Sequence, residues 1–251
     1  MDLRESQQTT AKRHPWEVSR SRALREILLA AGALGEGGRV LDLGCGDGFL
    51  IDALCPLSIA EIDALDIHLT DEQIVSFSAA RPRVRFVNST LPLIDRGYQL
   101  ITLFDVLEHV EDDAGFLSEM VSRFARQDAL IFCTVPAFAA LYSRHDVFLK
   151  HHRRYHLSSL TQLLERSGLR VCRSGYLFAS LLPLRAMSVL MEKVFGVAEQ
   201  SPGIGHWGHG LLLTSVLTTL LDFDNFLLCW LSRRGITLPG LTVWALCTIR
   251  R

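Results

Sequence analysis

From Arg39 onward, short β-rich runs alternate with helix-patterned runs, and this alternation narrows the fold more than any other feature. The strand-like runs are RVLDL, EIDALDI, VRFVNS, YQLITLFDV and ALIFCTV, the last ended by Pro136. GFLIDALC, DEQIVSFSAA, DAGFLSEMVSRFA and LSSLTQLLERSG are the helical runs among and after them. Strands joined through helices form βαβ units, so the chain is expected to be an α/β protein with a mostly parallel sheet. Two further strands, LRVCRSGYLF and GLTVWALCTIR, are separated by about sixty residues, far more than neighbouring strands need. An insertion must lie there.

The division that follows is residues 1–36 as an N-terminal amphipathic helix and 37–178 as the sheet core. Residues 179–238 are an apolar helical insertion or lid, and 239–251 the final core strand. In the first part, Trp16, Leu24, Ile27, Leu28 and Ala31 recur at helical spacing and stop at Gly32. A chain of 251 residues that is 49% apolar can bury one sizeable core.

The formal net charge of -1 lacks the basic excess of a general nucleic-acid binder. Six cysteines stand without any C-x-x-C spacing, several inside apolar runs, and are expected to be reduced thiols that pack as small hydrophobes. The opening MDLRESQQTTAKRHPWEV is polar throughout, so no secretory signal is expected. The expected place is the cytoplasm, with the inner face of the membrane as its one alternative.

The segment LDLGCGDGFL, residues 41–50, ends a strand, turns through three glycines and opens a helix. Such a turn brings backbone N–H groups and a helix N-terminus to one spot. A dinucleotide fingerprint would place a third glycine where Phe49 stands, and Asp42 would meet a pyrophosphate with like charge. A ligand that is cationic and free of phosphate suits the loop better. Eighteen residues past Gly48, Asp66 ends the second strand, where a carboxylate can accept two hydrogen bonds from a vicinal diol.

DLGCGDG resembles the first motif of the class I S-adenosylmethionine-dependent methyltransferases, D/E-x-G-x-G-x-G, in the group that includes the ubiquinone-pathway methyltransferases. LPLIDRGYQLITLFDVLEHV resembles that family's stretch into the fourth strand. The resemblance covers most of residues 15–178 and the last strand. It implies a Rossmann-like sheet of seven strands, mostly parallel with the last antiparallel, and helices on both faces. It implies S-adenosylmethionine as cofactor, with Asp42, Gly44, Cys45, Gly46 and Gly48 around its methionine part and Asp66 and Ile67 at the ribose. Ser89, where the family often has an acid, and Phe104 complete the expected contacts.

FDVLEHVEDD places Asp105, Glu108 and His109 at the carboxyl end of the fourth strand, on what reads as the first turn of a helix. RHDVFLKHHRRYHLSSL brings His145, His151, His152 and His156 to the same edge after the fifth. The acid and histidine order looks like the metal set of the small-RNA 3′-end 2′-O-methyltransferases, and a similar pattern occurs in the ubiquinone-pathway catechol O-methyltransferases. That likeness implies a divalent ion on Asp105, Glu108, His109 and His151. Without a metal, His109 or His151 would be the general base, and either way an oxygen acceptor is expected. Lys150, Arg153 and Arg154 form a solvated basic approach or hold an anionic group on the acceptor.

In the insertion, residues 211–231 are long enough to cross a bilayer. Asp222 and Asp224 fall near their middle, where each would cost about 3 kcal/mol, so a spanning helix is not expected. Leu212, Val216, Leu220, Phe223, Leu227 and Leu231 recur at spacings of three and four, a face that needs cover. A lid over a small or lipid-like acceptor, a homodimer surface and a peripheral membrane patch all stay open. His206 and His209 have ligand-like spacing without a cysteine or acid beside them, and read as a glycine-rich lid loop. Two other functions compete: a non-catalytic membrane-surface or partner-binding module on the same fold, and an RNA 2′-O-methyltransferase, which the near-neutral charge disfavours.

Overall fold

The computed structural model describes residues 13–32, 38–54, 61–90, 93, 95, 97–196 and 207–250. Helix α1 (Pro15–Leu29) leads. His14 caps it by accepting the Trp16 N–H at 3.2 Å, and Glu17 reaches back to the His14 N–H at 3.1 Å.

The sheet then runs β1 (Arg39–Leu43), β2 (Glu61–Leu65), β3 (Val84–Val87), β4 (Tyr98–Phe104), β5 (Ala125–Pro136), β6 (Leu169–Leu177) and β7 (Thr242–Ile249). Between strands lie α2 (Phe49–Leu54), α3 (Asp71–Ala80), α4 (Asp113–Phe124), α5 (Arg144–Leu149) and α6 (Leu157–Arg166). After β6 come α7 (Leu182–Phe195) and α8 (Leu211–Ser232). The spatial order is β3-β2-β1-β4-β5-β7-β6. The first five strands pair in parallel, and β7 runs antiparallel to both neighbours. The two late strands are thus adjacent, as expected, with the long connection looping out between them.

Side chains on a strand alternate between faces, and here the alternation feeds two cores. Val40, Leu100, Phe104 and Phe132 face α1, whose Leu24, Ile27 and Leu28 are buried against them. Leu41, Leu43, Ile101 and Leu103 face α4 and α6 through Leu117, Met120, Leu160 and Leu164. Cys45, Cys133 and Cys247 are buried free thiols, as expected of small hydrophobes.

Helix α8 lies on α1 and on β6. Gly175 permits the close approach: a Cβ there would stand 3.1 Å from Trp244 Nε1 and 3.2 Å from Ser232 Oγ. The inward face of α8 carries Thr218, Leu221, Asn225 and Leu228. The face expected to need cover is the outer one: Leu212, Val216, Leu220, Phe223 and Leu227 are exposed. Hydrogen bonds from Asn225, rather than leucine packing alone, choose which side goes in.

Candidate functional site

The carboxyl ends of β1, β2, β4 and β5 form one edge, and the glycine loop turns along it. Gly44 has φ +70°, and a Cβ there would stand 2.5 Å from Val106 Cγ2, so glycine alone fits. The loop's N–H donors are spent within the protein, mostly on the end of β2. Gly44 and Cys45 N–H both donate to the Leu65 carbonyl, at 2.7 and 3.1 Å, and Gly48 N–H donates to the Cys45 carbonyl. Gly46 N–H donates to Asp66 Oδ2 at 3.0 Å and Phe49 N–H to Asp47 Oδ1 at 3.1 Å. A phosphate cradle needs free N–H groups. This loop offers carboxylates instead.

Asp42, at the end of β1, is buried, and Thr102 donates to its Oδ1 at 2.5 Å. Burial pushes its carboxyl up to about 7 against the opposing pull of that hydrogen bond. A buried carboxylate with a neutral hydroxyl for company is suited to a cationic ligand. Asp66 is fixed by two backbone donors, Gly46 N–H and His68 N–H, the latter at 2.9 Å to Oδ1. Each carboxylate oxygen keeps a lone pair for a hydroxyl.

Beside Asp66, Ile67 is 71% exposed at the mouth of the site. Asn88 is committed to the Leu69 carbonyl at 3.2 Å, leaving Ser89, half-buried, as its neighbour on this edge. The Phe104 ring sits in the core, edge-to-face with Phe132. The Cys45 thiol is buried, and burial followed by the Asp42 and Asp66 charges raises its pKa, so it stays protonated.

At the end of β4 the chain makes a different turn from the expected helix. Asp105 takes φ +58°, and Leu107–His109 form a single 3₁₀ turn. Both oxygens of Asp105 are engaged: Arg20 of α1 reaches Oδ2 at 2.5 Å, and Thr134 donates to Oδ1 at 3.1 Å. Arg20, buried over the Trp16 ring, also donates to Thr134 at 2.6 Å. Asp105 therefore anchors α1 and is absent from the group its neighbours form.

That group is Glu108, His109 and His151, whose ligand atoms all lie within 4.8 Å of one another. Glu108 is fully buried, and neither carboxylate oxygen has a hydrogen-bond partner. Burial, then the nearby Asp105 charge, raises its pKa well above the carboxylate range. The two imidazoles meet edge-to-face with centroids 4.6 Å apart. One carboxylate and two imidazoles make a donor set that suits a first-row divalent ion.

His151 is held from behind. Its Nδ1 pairs with Asp146 Oδ1 at 2.9 Å, leaving Nε2 for the site. Asp146 is itself buried and receives Arg154 Nε at 2.7 Å and Ser143 N–H at 3.0 Å. Burial opposes its ionisation, but the His151 and Arg154 hydrogen bonds outweigh this and hold its carboxyl well below the usual range. Arg153 pairs with Asp113 at 3.0 Å, and Tyr155 donates to the same carboxylate at 2.8 Å. Both arginines of the basic cluster are thus paired with acids of the protein, Arg153 with Asp113 and Arg154 with Asp146.

Of the expected residues, the structure brings Asp42, the glycines and Asp66 to one stretch of the sheet edge, and Glu108, His109 and His151 to one cluster. Asp146, Arg20 and Thr102 were not anticipated. Asp146 had a signal, standing five residues before His151 in RHDVFLKHH. Of the histidine pair in GHWGHG, His206 lies outside the described residues, and His209 stacks edge-to-face on Trp207.

Residues 16–174 match the model of a methyltransferase domain family. A protein of Mycolicibacterium smegmatis named "Probable S-adenosylmethionine-dependent methyltransferase" is 32% identical over 199 residues, covering 75% of this chain and 74% of that one. The ubiquinone biosynthesis O-methyltransferase of Rickettsia bellii is 27% identical over 100 residues, covering 38% and 41%. A SAM-dependent methyltransferase from Archaeoglobus fulgidus shares the fold, with a TM-score of 0.52 at 18% identity over 90% of this chain and 93% of that one.

Proposed function

The chain belongs to the S-adenosylmethionine-dependent methyltransferase family, and on that premise we propose that it methylates an oxygen on a small or lipid-like acceptor, with His151 taking the acceptor's proton. The observation that carries this reading is the Asp146–His151 pair facing Glu108 at the end of β4. The Rickettsia bellii relative, an O-methyltransferase by name, is compatible with it.

S-adenosylmethionine supplies a methyl group on a sulfonium, already primed for in-line displacement. Asp42 would hold its ammonium end and Asp66 its ribose hydroxyls, on either side of the glycine turn. Positioning does most of the remaining work, because a hydroxyl becomes nucleophilic as it loses its proton. Asp146 fixes His151 in the tautomer with Nδ1–H toward the carboxylate, so Nε2 accepts the acceptor proton. Asp146 then stabilises the imidazolium that forms. The proton leaves to solvent once the product has gone.

A second reading adds a divalent ion on Glu108, His109 and His151, favoured by the two unpaired Glu108 oxygens. The ion would lower the pKa of a bound acceptor hydroxyl, and Asp146 would then orient a ligand instead of a base. Methyl transfer from labelled S-adenosylmethionine to catechols and to a lipid extract tests both readings. Label in an O-methyl product, lost in His151→Ala, supports the oxygen assignment. Label on nitrogen or carbon overturns it, and turnover indifferent to chelator and to Glu108→Gln removes the metal.

A further inference from the structure

Helix α8 is built inside out. Its acids turn toward the protein: Asp222 takes Arg22 at 2.6 Å, and Asp224 accepts the N–H and hydroxyl of Ser180 at 2.9 and 2.7 Å. Asn225 accepts the Phe178 N–H at 2.9 Å and donates to Ser19 at 3.1 Å. The opposite side is leucine and phenylalanine, with Leu212 86%, Phe223 65% and Phe226 64% exposed. A helix of a water-facing surface places these residues the other way round.

Among the described residues α8 is long and apolar enough to cross a membrane, yet its most apolar window is only 17% buried, so it is not a core helix. It cannot span either. Asp222, Asn225 and Ser232, whose hydroxyl donates to the Ser174 carbonyl at 2.8 Å, tie it to α1 and β6. Crossing a bilayer would drag that sheet edge into hydrocarbon. It can lie in the plane of an interface.

The charge at its end says which partner fits. Arg233 and Arg234 follow Trp230, and Arg234 stacks on the Trp230 ring at 3.5 Å. Arg173 of β6 lies near enough to Arg233 for the two to repel. A second copy docked two-fold and antiparallel would bring these cations to the start of α8, which carries no acid in its first turn. Anionic headgroups would meet them with opposite charge.

We propose that the outer face of α8 is a membrane-docking surface, seated in the plane of an anionic phospholipid bilayer. Leu212, Phe223 and Phe226 enter the acyl boundary, and Trp230, Arg233 and Arg234 lie at the headgroups. Helix α7 connects this part of the chain to the catalytic edge: Arg185 donates to Ser143 Oγ at 2.6 Å, and Ser143 donates to Asp146, the partner of His151. On the acceptor reading above, a substrate carried in the bilayer would meet His151 from this side, but the docking itself does not depend on that reading.

Flotation of the full chain with vesicles of phosphatidylcholine and phosphatidylglycerol in equal parts, against phosphatidylcholine alone, tests the proposal. Binding to the anionic vesicles is expected to be stronger by about tenfold or more. Phe223→Ser with Phe226→Ser should lower it about a hundredfold. Arg233→Gln with Arg234→Gln should remove the anionic preference alone. S-adenosylhomocysteine binding by calorimetry, unchanged in these variants, reports that the fold is intact, and Leu212→Ser with Val216→Ser replaces the phenylalanine pair if it is not. Flotation that survives both apolar pairs overturns the proposal, as does a dimer in sedimentation that they dissociate while vesicles recover nothing. Flotation as expected without cofactor binding in the unsubstituted protein would sink the enzyme reading and leave the docking surface standing.

Discussion

The strand edge and helix α8 invert the usual partition of residues in opposite senses. At the edge, Asp42 and Glu108 are carboxyl groups sealed from water, Glu108 without a hydrogen bond and Asp42 with a neutral hydroxyl. On α8, leucine and phenylalanine stand in water while aspartate and asparagine are turned inward. Each arrangement costs free energy in the isolated protein. Each also states the chemistry of what relieves it: a cationic, hydroxyl-bearing ligand at the edge, and an apolar medium bounded by negative charge at the helix.

The contrast can be broken most severely at the edge. His151→Ala should lower kcat by about a hundredfold to ten-thousandfold while cofactor affinity stays the same, the size expected of a general base. A turnover assay beside a cofactor titration reads both. If Asp146 acts by orienting His151, Asp146→Asn should lower kcat and shift its pH profile, whereas a purely structural role would move thermal stability alone.

Cofactor affinity should depend on pH through Asp42. Its charged form is the one that attracts an ammonium, and its carboxyl lies at about 7 in the free protein. Affinity should be full above pH 8 and weaken below pH 7, by up to about tenfold per pH unit while the cofactor's ammonium stays charged. Calorimetry between pH 6 and 8 measures this, and Asp42→Asn should flatten the profile.

The smallest effects sharpen the comparison on α8. Asn225→Ala leaves the Phe178 N–H and Ser19 hydroxyl without their partner and should cost about 1–3 kcal/mol. Phe223→Ser, on the outer face, should stay within about 0.5 kcal/mol. Chemical denaturation of both variants would show a polar residue outweighing an aromatic one, the reverse of an ordinary amphipathic helix.

How far the sequence went follows from the range of the interactions involved. Strand alternation, the glycine turn and the Gly48–Asp66 spacing are local, and each was readable. The pairing of β6 with β7 followed from strand count and the family likeness. What escaped were mostly contacts across long separations. Arg20 meets Asp105 from the leading helix, which withdraws Asp105 from the expected ligand set. One that escaped is local: His151 and Arg154 meet Asp146 from five and eight residues away through the capped turn of α5, which reads only as loop. For α8, apolar residues recur at spacings of three and four on more than one side, so periodicity found the helix but could not orient it. Thr218 and Asn225, one heptad apart, mark the inner side, and the partners of Asn225, Ser19 in α1 and Phe178 just past β6, lie far away in sequence.

The central claim is that two acids on adjacent strand ends hold a phosphate-free, cationic nucleoside cofactor. Calorimetric titration of S-adenosylhomocysteine into the unsubstituted protein and into Asp66→Ala, at pH 8, tests it most directly. Losing two hydrogen bonds to a carboxylate should weaken binding about a hundredfold with the fold intact by circular dichroism. Binding that is undiminished in Asp66→Ala would contradict the account.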